Sequence, residues 1–103
     1  MTEEERNTIV EYRLKRACET FVEAKDLISL NHWHGAANRL YYVCYYAASA
    51  LLINHHITTN SHAGVLNQLG LHFVSKGILS NELGKLIKQL FNLRQSRDRK
   101  SVV

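Results

Sequence analysis

Four tyrosines fall within six residues, Tyr41, Tyr42, Tyr45 and Tyr46, closely following Asn38 and Arg39. At helical pitch they make two i,i+4 pairs, Tyr41 with Tyr45 and Tyr42 with Tyr46, and Arg39 sets a cation at the start of this aromatic wall. Buried phenols need partners for their hydroxyls, so one reading is a polar network that locks a core or a dimer face. The other is a nucleotide or RNA site in which Arg39, Tyr41 and Tyr45 line a base pocket. A second constellation lies near the C-terminus, where Arg94, Arg97, Arg99 and Lys100 offer donors suited to phosphate. Residues 76–103 carry seven basic and two acidic side chains, residues 1–30 five basic and seven acidic, and residues 31–75 only Arg39. Such charges also complement a helix C-terminus and solvate an exposed face. The overall formal charge of +4 is too small to announce a polyanion partner by itself.

Other chemistries find little support. Of the six histidines, His32, His34, His55, His56 and His62 gather around the ends of one apolar segment. On a helix, however, His32 and His34 project about 200° apart and His55 and His56 about 100° apart, which does not make a zinc site. There is no H-E-x-x-H, C-x-x-C or Glu-x-x-His pattern, so no metal and no cofactor is expected. Cys18 and Cys44 lie in segments that read as helix interiors, where burial deactivates a thiol, and reduced, buried thiols of a cytoplasmic protein are the expectation. No G-x-S-x-G or glycine-rich phosphate loop is present. The acidic, polar start lacks the character of a signal peptide, and the apolar run from Leu40 to Ile53 is shorter than the ~20 residues needed to cross a bilayer.

The elements that must position these residues are helical. A chain of 103 residues with 46% hydrophobic and 21% charged residues fits one packed domain over residues 1–103. Val10, Leu14, Ala17, Phe21, Ala24 and Ile28 recur at steps of four and three, predicting an amphipathic helix near 4–30 with that stripe turned inward. Asn31 is a candidate cap for a second helix near 32–55, apolar on nearly every side after Arg39 and therefore central. Ser61 can cap a third helix near 62–76, with Leu66, Leu69 and Phe73 inward, and Gly77 suits the left-handed position that ends it. Ser80 or Asn81 opens a fourth near 80–96, with Leu83, Leu86, Leu90 and Leu93 inward and Ile87 widening the face. Four helices on short connections favour an up-and-down four-helix bundle, an all-α fold.

Trp33, the run from Ala37 to Tyr42, the Tyr46–Leu52 segment, Ser61-His62-Ala63-Gly64-Val65, Phe73-Val74 with Gly77, and Leu93-Arg94 ahead of Asp98 together resemble the HEPN domain across residues 8–98. The resemblance implies a helical bundle, commonly a homodimer, encoded beside or fused to a small nucleotidyltransferase. In several branches it implies an RNase toxin or the partner of one. Ribonuclease members have an Arg, then four to six residues, then a His in a late helix. Starting from Arg94, the corresponding residues are Arg99, Lys100 and Ser101, and Asp98 is followed by Arg99 where the nearest branch has Tyr and a further helix. The expectation is therefore a chain that has lost, or is cut before, that last helix.

Metal-free RNA cleavage must deprotonate a 2′-hydroxyl and protonate the leaving 5′-oxygen, work suited to histidine. Without one at the family's position, the sequence favours a catalytically inert, dimerising partner of a nucleotidyltransferase-type protein in a toxin–antitoxin-like pair. The alternative is a metal-independent ribonuclease or RNA or nucleotide binder, with Arg94 as its catalytic candidate and Arg97 and Arg99 as further phosphate ligands.

Overall fold

The computed structural model describes the backbone of residues 1–102 and the side chains of residues 1–94. Four helices follow one another: α1 (Glu3–Ser29), α2 (Trp33–Asn54), α3 (His62–Leu69) and α4 (Asn81–Val102), and the described residues contain no strand. Each start has a local cause. Thr2 Oγ1 accepts from Glu5 N–H while Glu5 Oε1 accepts from Thr2 N–H, a reciprocal capping box that also holds the Glu5 carboxyl below its usual range. Ser61 Oγ accepts from Gly64 N–H at 3.0 Å and Ser80 Oγ from Leu83 N–H at 3.1 Å, opening α3 and α4 as their sequences predict. Asn31 instead takes φ 61° and closes α1, because a short polar side chain tolerates the left-handed region. His32 precedes α2 with no side-chain cap.

Helix α2 is central, with α1 along one side and α3 and α4 on the others. The α1–α2 contact is built from small residues. Ala17, Thr20 and Ala24 on α1 and Ala36, Ser49 and Ala50 on α2 are buried, and Arg13 reaches across to donate to Ser49 Oγ. Gly35 serves the same close approach, since a methyl there would come within 3.3 Å of Leu27 Cδ1. This geometry corrects the expected α1 stripe. Ala17 and Ala24 turn inward, but Leu14, Phe21 and Ile28 stay exposed because the small-residue ridge lets the backbones close up. Cys18 is exposed on the same helix rather than buried, while Cys44 is half-buried and its thiol is pushed up by burial.

The main apolar core lies at the other end of α2, where Ala48 and Leu52 meet Val65, Leu69, Phe73 and Ile87. The third helix departs from the expected 62–76 span: after Leu69 the chain takes one π-helical turn, Gly70–Val74, which carries Phe73 into this core. Gly77, at φ 76°, then ends it as expected. On α4 the inward ridge is Ile87, Phe91 and Arg94, whereas Leu83, Leu86 and Leu93 are exposed and Leu90 is half-buried. The leucine periodicity gives a broad apolar face, and the ridge one step around it makes the contact. The helix also runs on past the expected 96, since nothing from Gln95 to Lys100 is a helix breaker. No helix of the described residues is long and apolar enough to cross a membrane.

Candidate functional site

The four tyrosines of α2 form one aromatic cluster with residues from α3 and α4. Tyr41 is 1% exposed. Its ring meets Tyr42 edge-on at 5.3 Å, and Phe91 lies 6.0 Å away. Its hydroxyl is paired with His62 Nδ1 at 2.6 Å, and the His62 ring lies flat on Tyr45 with centroids 4.2 Å apart. Burial pushes the Tyr41 phenol up to about 12, despite the opposing field of Arg94. Burial, and then Arg94, holds the His62 imidazole below its ordinary value. The hydroxyl and Nδ1 share one hydrogen, and which of them donates it follows the imidazole tautomer.

Two guanidinium groups converge on Tyr42. The central carbons of Arg39 and Arg94 each lie 5.4 Å from its ring centre, so the two cations stand no further apart than twice that distance. Arg94 also lies 5.5 Å from the Tyr41 ring centre. Arg39 is oriented by its neighbours: one terminal nitrogen donates to Asn38 Oδ1 at 2.8 Å and the other to Glu23 Oε1 at 3.3 Å. That ion pair ties α1 to α2 and takes up part of the Arg39 charge. Both arginines line one cavity of about 320 Å³ between the end of α1, the start of α2 and the last described turn of α4. His34 and Asn38 supply its other polar lining, and Leu27, Leu90 and Leu93 its apolar walls.

Of the residues singled out by sequence, Arg39 and Arg94 therefore come together. Tyr41 and Tyr45 do not line this cavity: Tyr41 is sealed in the core, and Tyr45 is half-buried with a face covered by His62. Tyr42 lies beneath both cations without lining the cavity itself. Arg97 and Arg99 lie outside the residues whose side chains are described. Sequence reasoning weighed two histidines only as metal ligands, whereas in the fold His62 pairs with Tyr41 and His34 lines the cavity. His62 follows the Ser61 cap directly, and His34 stands one helical turn before Asn38, on the same face of α2. Among the described residues, no group of three or more His, Cys, Asp or Glu is arranged to hold a metal ion.

A HEPN domain model matches residues 10–100. A Thermotoga maritima protein named "UPF0332 protein" is 37% identical over 94 residues, which cover 91% of this chain and 71% of that protein. A Methanocaldococcus jannaschii protein named "Putative toxin MJ0605" is 34% identical over 80 residues, 78% of this chain and 60% of that protein. A second from the same organism, "Putative toxin MJ0142", is 31% identical over 98 residues, 87% of this chain and 67% of its own length. No solved structure matches the chain significantly.

Proposed function

The chain belongs to the HEPN domain family, and from that premise we propose that it is a toxin-like module that holds the phosphate of RNA or of a nucleotide in the Arg39–Arg94 cavity. One observation carries this reading: arginines from two different helices are stacked on the same tyrosine and line the same cavity. Guanidinium groups fit phosphate oxygens with paired donors, and both are held against the Tyr42 ring. A cavity of about 320 Å³ is at the small end for ligand sites, room for one nucleotide unit of a flexible strand. The relatives named as toxins support the same class of function.

The module also dimerises and pairs with a nucleotidyltransferase-type protein. Support for an assembly comes from apolar side chains left in water on two helices, Leu14, Phe21 and Ile28 on α1 and Leu83, Leu86 and Leu93 on α4. Large apolar groups left in water in such numbers favour burial against another chain.

Binding is tested by fluorescence anisotropy with a short single-stranded 2′-O-methyl RNA, which cannot be cleaved through its 2′-position. Two phosphate contacts give a slope of about −1.4 in log K against log salt, and Arg94→Ala reduces it to about −0.7 with weaker binding throughout. A flat salt response, or an Arg94→Ala curve that overlies the wild type, overturns the reading.

A further inference from the structure

We propose that the groove between α3, with its π-helical turn, and α4 is a second ligand site, separate from the arginine cavity, and that it takes a small organic carboxylate with an unbranched apolar tail, such as a medium-chain fatty acid. The inference does not depend on the phosphate-binding reading above. The groove holds about 540 Å³, within the range of small-molecule sites. Along α4 its lining follows two adjacent ridges at helical spacing. Gly84, Ile87 and Phe91 form an apolar floor that Leu66 and Val74 continue on the facing side, while Asn81, Lys85, Lys88 and Asn92 form a polar rim. No Asp or Glu lines the groove, and among the described residues Lys85 and Lys88 enter no ion pair. The helix macrodipole does not account for them either, since it favours cations at a C-terminus and these two lie in the first half of α4.

The backbone keeps this groove open. In the π-helical turn Ser75 N–H donates to the Gly70 carbonyl at 2.9 Å, a widened turn of a kind that recurs at functional sites. Gly70 itself has ordinary helical angles, φ −62° and ψ −46°, and a methyl there would meet nothing within 4 Å. Neither a left-handed backbone nor a close approach calls for glycine at this position, and glycine weakens a helix relative to alanine, so its effect is to leave the space empty. Gly84 differs, since a methyl there would come within 3.2 Å of Val74 Cγ2, and its absence lets α4 close against the π-helical turn. From Asn81 to Asn92 the rim runs about 16 Å along the helix axis, which suits an extended tail on the floor with its carboxylate at the lysines and side-chain amides. Charge complementarity selects an anion, and the volume selects a small one. A stable protein partner needs an interface of about 1,000 Å² or more, well beyond one groove of this size.

The test is isothermal titration calorimetry of the full chain with decanoate, below the concentration at which it forms micelles. Wild type takes up one decanoate per chain. Octanoate, shorter by two methylenes, binds on the order of tenfold more weakly, the scale of burying two CH₂ groups. Decanol, which has the tail without the charge, binds wild type about tenfold or more weakly, and the double variant Lys85→Gln/Lys88→Gln loses as much affinity for decanoate. Gly70→Leu fills the groove from a helical position, so it melts at or above the wild-type temperature and binds decanoate about tenfold or more weakly. Should Gly70→Leu fail to fold, the lysine variant, changed only at exposed positions, decides the question. The inference fails if wild type does not bind decanoate, if decanol binds as tightly, or if the lysine variant or a folded Gly70→Leu binds as wild type does. It also fails if wild type ignores decanoate while Gly70→Leu changes oligomeric state in sedimentation, which would give the groove to a second copy of the chain.

Discussion

The Tyr41–His62 pair yields the most exacting test of the structure. Tyr41→Phe removes one oxygen from a side chain that is 1% exposed and leaves its ring against Tyr42, Tyr45 and Phe91. The lost bond, 2.6 Å long, is worth about 0.5–1.5 kcal/mol net, and stranding a partly buried ring nitrogen adds to that, giving an expected loss of about 1.5–2 kcal/mol. His62→Phe strands the more deeply buried Tyr41 hydroxyl and costs at least as much. In the double variant neither polar atom is left unmatched, and an aromatic ring still covers Tyr45. Its cost is therefore smaller than the sum of the single costs by about 1 kcal/mol or more. Urea unfolding followed by circular dichroism gives all three values, provided the m-values agree. A Tyr41→Phe variant within about 0.5 kcal/mol of wild type, or single costs that simply add, would refute the pairing.

Two further outcomes follow from buried groups. Thr20 is fully buried and its hydroxyl has no partner among the described residues, so Thr20→Val stabilises the chain by about 1 kcal/mol, visible as a Tm several degrees higher; a lower Tm contradicts the packing described for α1. Because His62 is held below its ordinary value when folded, the unfolded chain binds its proton more tightly. The contribution of His62 is thus present above the ordinary imidazole value and is lost as pH falls through the lower, folded one. Tm measured against pH drops on acidification in wild type, and His62→Phe lacks that component; parallel curves for the two proteins would contradict it.

Helix number and most boundaries were legible in the sequence because they rest on local chemistry. Ser61, Ser80 and Gly77 act through their own backbone neighbourhoods, and each does in the fold what its residue type favours. Helix faces were less legible. On α1, periodicity ranks Leu14, Phe21 and Ile28 above Ala17 and Thr20, yet close helix packing selects for small volume, and hydrophobicity alone does not reveal that preference. On α4, a leucine at every third or fourth position makes two adjacent ridges equally apolar, and the choice of Ile87 and Phe91 depends on what α2 and α3 present. The π-helical turn at Gly70–Val74 likewise has no local signal that separates it from an ordinary helix. Within the site, the arginines and tyrosines were visible by type. That Tyr41 is sealed while Tyr42 faces both cations depends on rotation about α2, which four tyrosines in six residues leave undetermined. His34 carried a usable signal in its i,i+4 relation to Asn38, next to Arg39.

Tyr42 joins the site to the core, which gives Arg94 two roles. Its ring abuts Tyr41 on the interior side and carries both guanidinium groups, and Arg94 in turn influences both Tyr41 and His62. Arg94→Ala therefore removes a phosphate donor and also a cation–π contact worth about 0.5–1 kcal/mol, so part of any loss of binding reflects a rearranged wall. Arg94→Lys separates the two roles, since an ammonium keeps the charge but loses the planar fork and its stacking. If the fork matters for phosphate, Lys retains most of the salt dependence while affinity falls. If Arg94 serves chiefly to hold the aromatic wall, Lys and Ala lose stability together and the salt slope stays at its wild-type value in both.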